Sequence, residues 1–313
     1  MTTFGEYIQS CKPLPWTISG AHPTTPWLEG NHLLAINFVR YKLIMEAVKR
    51  YYSSGNSVLD VGVYPGTVPQ LFREYFPGSG DYNYYGVGLG FDNAFSEIMN
   101  DYDVKLLECD LDPRLQLNGK RATSIPLEKE KIDFIIFTDV IEHLYDPFYP
   151  LQEINRVSKL GATMVLTTDN ITRFGSLLAF RRGNSCNVPL IAGNLFYTGD
   201  WRPHFREYSR DELYQLLQWA GFEVLEHQFY EADFGKYFVE NGQLTKKDRR
   251  KLTFRGRVVD EVHKLAVKFV PHLRDNHVLV ARKVNTYEEM IISAPKVVND
   301  MDDWMRQRRT FSK

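Results

Sequence analysis

The chain has 313 residues, 43% hydrophobic and 25% charged, with a formal net charge of −1. That is the balance of an ordinary globular protein. It excludes a whole-molecule electrostatic trap for nucleic acid or membrane, so any such role has to come from a local patch. Cys11, Cys109 and Cys186 are scattered, odd in number and form no CxxC pair, which argues against a disulfide framework and a cysteine zinc site and fits a reducing, cytoplasmic compartment.

Residues 1–30, rich in Pro, Gly and Thr, read as an irregular arm without a secretory signal; with the next helix they make an N-terminal unit, 1–52, able to serve as a lid. Apolar residues from Leu33 to Val48 predict a helix over 31–52. Ser57–Val61 reads as a strand, Gly62–Gly66 as a tight turn and Thr67–Tyr75 as a helix. Strands follow at Tyr84–Val87, Val104–Leu107 and Ile132–Thr138, the last apolar almost throughout and so covered on both faces. A helix over 148–158 is expected to stop at Gly161, ahead of a buried strand Ala162–Thr168.

The pattern then loosens to about residue 208. Ser209 with Glu212 forms a capping box opening a helix over 210–220, and Phe222–Phe229 reads as a strand. A basic, irregular segment, a helix over 257–270, a strand around Val278–Ala281 and a polar tail, 284–313, complete the chain. No stretch approaches the roughly 18 apolar residues of a membrane span. Strands alternating with helices predict an α/β core over 53–283, with a mostly parallel sheet, a terminal antiparallel strand and insertions at about 170–203 and 231–271. Ligands of such sheets bind beyond the carboxyl ends of the strands, where the strand order reverses.

The candidate chemistry falls at those ends. Asp60-Val-Gly62-Val-Tyr-Pro-Gly66 is a strand end and glycine turn whose backbone can approach a ligand closely, ahead of a helix N-terminus with free amides. His143 follows the fourth strand and His204 precedes the 210–220 helix; either could be a general base near neutral pH. Asp169 could orient one of them. No close His/Asp/Glu spacing supports a metal site. Phe174, Phe180, Phe196, Tyr197 and Trp201 could wall an acceptor site, and the arm with Trp16, Trp27 and His32 could close over a cofactor.

The Asp60–Thr67 segment resembles motif I of the class I S-adenosylmethionine-dependent methyltransferases. The resemblance runs in register through Glu108-Cys-Asp110-Leu111, Phe134–Pro147 with its Glu142-His143-Leu element, Val157–Asn170, and His204–Leu213 with Ala220-Gly-Phe222, covering about residues 56–282. It implies a Rossmann-like, seven-stranded sheet with helices on both faces and S-adenosyl-L-methionine as cofactor. Asp60, Gly62 and Gly66 would cradle the methionine end, Asp110 and Leu111 frame the adenine, and Asp139 and Val140 line the cavity beneath the sulfonium. Tyr64 departs from the motif's usual middle glycine. Gly88 stands where the second strand should end in a ribose-binding acid, with Asp92 the nearest substitute.

The reading is methyl transfer, on oxygen, to a small molecule or saccharide, with nucleic acid disfavoured as a partner. The alternatives are an RNA or protein methyltransferase using the basic 246–257 segment, and a non-catalytic scaffold of the same fold. The basic segment and following helix, 246–270, could also touch a membrane peripherally. Oligomeric state is not legible.

Overall fold

The computed structural model describes residues 37–76, 83–112, 122–186, 202, 204–231, 237–240, 243–246 and 253–293. Trp16, Trp27, His32, Phe196, Tyr197, Trp201, the 247–252 stretch and the tail beyond 293 lie outside the described residues.

In chain order the elements are α1 (Phe38–Tyr51), β1 (Ser57–Val61), α2 (Thr67–Tyr75), β2 (Asn83–Gly88), α3 (Asn93–Asp101), β3 (Val104–Glu108), β4 (Ile132–Thr138), a 3-10 turn Ile141–His143, α4 (Phe148–Val157), β5 (Ser158–Asp169), α5 (Phe174–Arg181), α6 (Arg210–Trp219), β6 (Phe222–Tyr230), β7 (Tyr237–Glu240), β8 (Gln243–Lys246), α7 (Phe254–Phe269), a 3-10 turn Pro271–Leu273, β9 (Asn276–Lys283) and α8 (Tyr287–Ser293). Seven strands form one sheet in the order β3-β2-β1-β4-β5-β9-β6, and β7 and β8 form a separate hairpin. The sheet is parallel except for β9, which runs antiparallel to both neighbours and lies between β5 and β6 rather than at an edge. The expected fold class is the one found. The order reverses between β1 and β4, which puts the ligand crevice over their carboxyl ends.

Alternation along the strands splits the core in two. Val58, Tyr84, Phe134 and Ile136 pack under α1, α2 and α3, beside Ile44, Leu71 and Phe95. Leu59, Val87, Ile135 and Phe137 pack under α4 and α6, beside Leu151, Ile154, Leu213 and Leu217. α1 thus contributes a core layer. The Ser209–Glu212 capping box opens α6 as expected.

Two expectations need correction. The helix ends at Val157, one residue short of the expected bound, and Gly161 is not its stop, because Ser158 already pairs with Ile132 and Gly161 falls inside β5. The loosened stretch after Asp169 contains α5, and the expected 231–271 insertion contains the β7–β8 hairpin.

The end of the sheet away from the crevice is tied by one lysine. Lys283 is 1% exposed, and its Nζ donates to the carbonyls of Asn155 (2.9 Å) and Ser158 (2.8 Å). Burial lowers its pKa below the ordinary lysine range. The ammonium caps the last carbonyls of α4 and joins them to β9. Lys283→Met removes two buried hydrogen bonds from an ammonium, so it should lower unfolding free energy in urea by about 2–4 kcal/mol while the opposite, crevice end keeps its structure. An unchanged midpoint would show that the capping contributes nothing net.

Candidate active site

The turn after β1 is built by Gly62 and Gly66, both left-handed, with φ of +82° and +84°. Gly62 N donates to Val87 O at 2.8 Å, and Gly66 is the N-cap of α2. A Cβ on Gly62 would collide with Val140 Cγ2, so the turns after β1 and β4 lie directly against each other. Asp60 is buried below them. It accepts from the Tyr84 hydroxyl at 2.7 Å, and burial pushes it up to about 7 despite that bond. Its observed role is to tie β1 to β2. Tyr64 stacks on Phe95, ring centres 4.8 Å apart.

At the end of β2, Gly88 makes room for Phe91, whose Cζ would be 2.9 Å from a Cβ there. Asp92 serves as the N-cap of α3, its Oδ1 accepting from Phe95 N at 2.7 Å. The acid at this point of the crevice is Glu108. It is level with Gly88 across the sheet, exposed, and its Oε1 lies 3.5 Å from Gly90 N. The sequence reading placed Glu108 in a motif without assigning it a role.

Beyond β3, Asp110 and Leu111 are buried. Both Asp110 oxygens accept from Arg202, at 2.9 and 2.7 Å, so an adenine amino group would share them with a guanidinium from the 170–203 insertion. Beyond β4, Asp139 adopts φ +50°, accepts from Thr167 Oγ1 at 2.6 Å and ion-pairs with Arg40 of α1.

The turn after β4 and the segment before α6 are then held together by backbone. Phe205 N donates to Glu142 O at 2.8 Å, and Ile171 N donates to Tyr208 O at 3.1 Å. This brings the two candidate histidines edge to face, ring centres 4.5 Å apart. His143 Nδ1 lies 2.5 Å from Arg202 O, and His204 Nδ1 lies 3.2 Å from Asp169 Oδ2. Burial alone would lower the His204 pKa, but the Asp169 carboxylate 3.2 Å away and the charges of Glu142 and Glu207 outweigh it and raise it to about 9. Burial raises Glu142, whose Oε2 accepts from Thr168 Oγ1 at 2.8 Å. Asp169 also feels a burial penalty, but His204 and Arg173 hold it below the ordinary carboxylate range. Glu207, 2% exposed, is paired with Arg173 at the start of α5.

Glu142, His143 and His204 can each bring one donor atom within 4.8 Å of the others, as can Asp169, His204 and Glu207. Sequence spacing gave no sign of either triad. Their groups are already engaged with Thr168, Arg202 O, Arg173 and one another. Of the expected aromatic wall, Phe174 lies against the His263 ring (5.1 Å) and Phe180 is 74% exposed.

Known proteins resemble this chain over part of its length. A probable S-adenosylmethionine-dependent methyltransferase of Mycolicibacterium smegmatis is 31% identical over 112 residues, 36% of this chain. That match spans only 37% of the relative's length. Among solved structures, the complex between the Haloferax volcanii Trm112 methyltransferase activator and a methyltransferase aligns at 14% identity and TM-score 0.49, over 80% of this chain and 92% of that one. The Haemonchus contortus phosphoethanolamine N-methyltransferase 2 in complex with S-adenosyl-L-methionine aligns at 12% identity and TM-score 0.48, over 91% and 61%. The family model of the methyltransferase domain matches residues 37–227, well over half of the chain, and the chain belongs to that family.

Proposed function

We propose that this protein transfers the methyl group of S-adenosyl-L-methionine to an oxygen of a small molecule or saccharide, with His204 as the base. The observation that carries the reading is the Asp169–His204 pair, 3.2 Å apart, beside the crevice formed by the turns after β1 and β4. The residues fit the cofactor. The turn after β1, with left-handed Gly62 and Gly66, leads straight into the N-terminus of α2, and Glu108 is an exposed acid level with the end of β2.

When bound, S-adenosylmethionine supplies a methyl already activated on a sulfonium, so alignment matters most. Gly62 and Gly66 would hold the methionine end through backbone, Glu108 the ribose hydroxyls, Asp110 and Leu111 the adenine, and Asp139 and Val140 the cavity below. Asp169 orients the His204 imidazole, whose other nitrogen is left to take a hydroxyl proton, a division of labour known from other Asp–His pairs. The ordinary His204 pKa is near 6.5, and here the neutral, proton-accepting form predominates only above about 9.

Two features favour the scaffold alternative: Arg202 clamps Asp110, and Phe91 packs over Gly88. Calorimetry separates the readings. Micromolar binding of S-adenosylmethionine, roughly −8 kcal/mol, supports the enzyme, and no binding to folded protein supports the scaffold. Glu108→Gln should weaken binding about tenfold, whereas Asp92→Asn, which keeps a capping side chain, should leave it unchanged. The reverse order would return the ribose contact to Asp92.

With a methyl acceptor in hand, His204→Ala should lower turnover at least about 100-fold, and His143→Ala much less. For a base, kcat/KM should rise about tenfold per pH unit below the His204 pKa and level off above about 9. Asp169→Asn removes a neighbouring negative charge that raises this pKa, so its rising limb should move to lower pH. A profile unchanged in Asp169→Asn would remove His204 from the role.

A further inference from the structure

The helix after the hairpin carries its apolar stripe on the outside of the molecule. Phe254, Val258, Val262, Leu265 and Phe269 recur along α7 at spacings of about three or four residues, one face of a helix. They are 78%, 47%, 50%, 57% and 73% exposed. The opposite side attaches the helix: Val267 is buried there, and His263 lies between the Phe174 ring (5.1 Å) and Glu231 (3.3 Å). α5, which packs against α7, adds Leu177 and Phe180, 54% and 74% exposed. Soluble monomers rarely leave so continuous an apolar surface uncovered.

We propose that the α5–α7 face docks on an anionic membrane surface. The charge around the stripe identifies the occupant. Arg255, Arg257 and Lys268 on α7 are exposed, and Arg181 and Arg182 at the end of α5 are exposed too. Between residues 246 and 268 the sequence holds nine Lys or Arg against three acidic residues, in a chain whose overall net charge is −1. Apolar side chains in the centre and cations at the rim are what a helix lying in a headgroup layer of anionic lipid requires.

The same charge disfavours the other occupants. A symmetric contact between two copies would set Arg255, Arg257 and Lys268 against their own counterparts. A nucleic acid would leave the phenylalanines, valines and leucine uncovered. No described helix is long and apolar enough to cross a membrane, so α7 lies on the surface.

The docking face adjoins the acceptor end of the crevice. Asn170, directly after Asp169, donates from its side chain to His272 O (2.8 Å) and Arg274 O (2.7 Å), in the turn that follows α7. Arg173, which pairs with Glu207, is the N-cap residue of α5.

The test is flotation of the full chain with vesicles of phosphatidylcholine alone or with about a third phosphatidylglycerol. The wild type should bind the anionic vesicles at least about tenfold better than the neutral ones, and lose that preference at high salt. Phe254→Ser with Phe269→Ser should weaken anionic binding about tenfold with an unchanged melting temperature, because both side chains are exposed. Arg255→Glu with Arg257→Glu should abolish the preference for anionic lipid. Absent or equal binding to both vesicle types would overturn the proposal. So would a wild-type dimer in sedimentation velocity that the Phe254→Ser, Phe269→Ser variant turns to monomer, since that would make the face a protein interface. Vesicle binding needs no methyl acceptor, so this result is independent of the catalytic reading.

Discussion

The crevice depends on two turns that have almost no room between them. Val61 and Phe137 are level in the sheet, and the chain leaves β1 and β4 side by side. Gly62 takes a left-handed conformation and offers no Cβ, and the Val140 side chain occupies the space a Cβ would need. From that shared point the chain diverges, into α2 on one face of the sheet and, through the 141–143 turn, into α4 on the other. The crevice is the gap left by that divergence, as at other points where the strand order reverses. Asp60 secures its floor through Tyr84. A side chain at Gly62 would push the turns apart and change the shape of every surface above them.

Charge decides how the peripheral elements close over this floor. Three acids near the strand ends each meet an arginine from outside the parallel core. Arg40 of α1 pairs with Asp139, Arg202 of the insertion with Asp110, and Arg173 at the start of α5 with Glu207. Removing one member of such a partly buried pair leaves a poorly compensated charge, so each pair helps to fix the element that carries its arginine. Asp169 is held differently, by a histidine. An arginine keeps its proton at any working pH. His204 can give its proton up and take one, so this pair can do proton chemistry where the arginine pairs can only hold position.

What was legible in the sequence followed from burial on both faces and from local capping. Ile132–Thr138 is apolar almost throughout, and Ser209 with Glu212 makes a cap whose two bonds are short-range. The misplaced helix stop at Gly161 came from a glycine that serves a strand instead, at φ +85° in β5. α5 escaped notice because Phe174–Arg181 is apolar on most sides and buries only Ser176. The site was legible in its members and not in its pairings. His143, His204 and Asp169 are legible one by one, but their meeting depends on backbone bonds from Phe205 N to Glu142 O and from Ile171 N to Tyr208 O, which no local pattern announces. Arg40, Arg173 and Arg202 carried no sequence signal, because a surface arginine and a site arginine read alike.

Periodicity also leaves the sign of a helical face undetermined. α4 and α7 both repeat apolar residues at helical spacing, yet Leu151 and Ile154 of α4 point into the core while Phe254, Leu265 and Phe269 of α7 point to solvent. The polar residues set the difference. On α7, His263 finds Glu231 and the Phe174 ring, and Lys264 finds Asp260 and Glu261, so the polar side of this helix has partners on the body of the protein or along its own surface. Turning the apolar stripe inward would break the His263 contacts to Glu231 and Phe174 and bring Arg255 and Lys268, which flank that stripe, toward the protein body. Burying unpaired cations costs more than a few apolar contacts return. An apolar stripe bordered by cations therefore faces outward unless the body supplies acids to meet it, and Glu231, the acid that meets α7, is engaged with the opposite side of the helix.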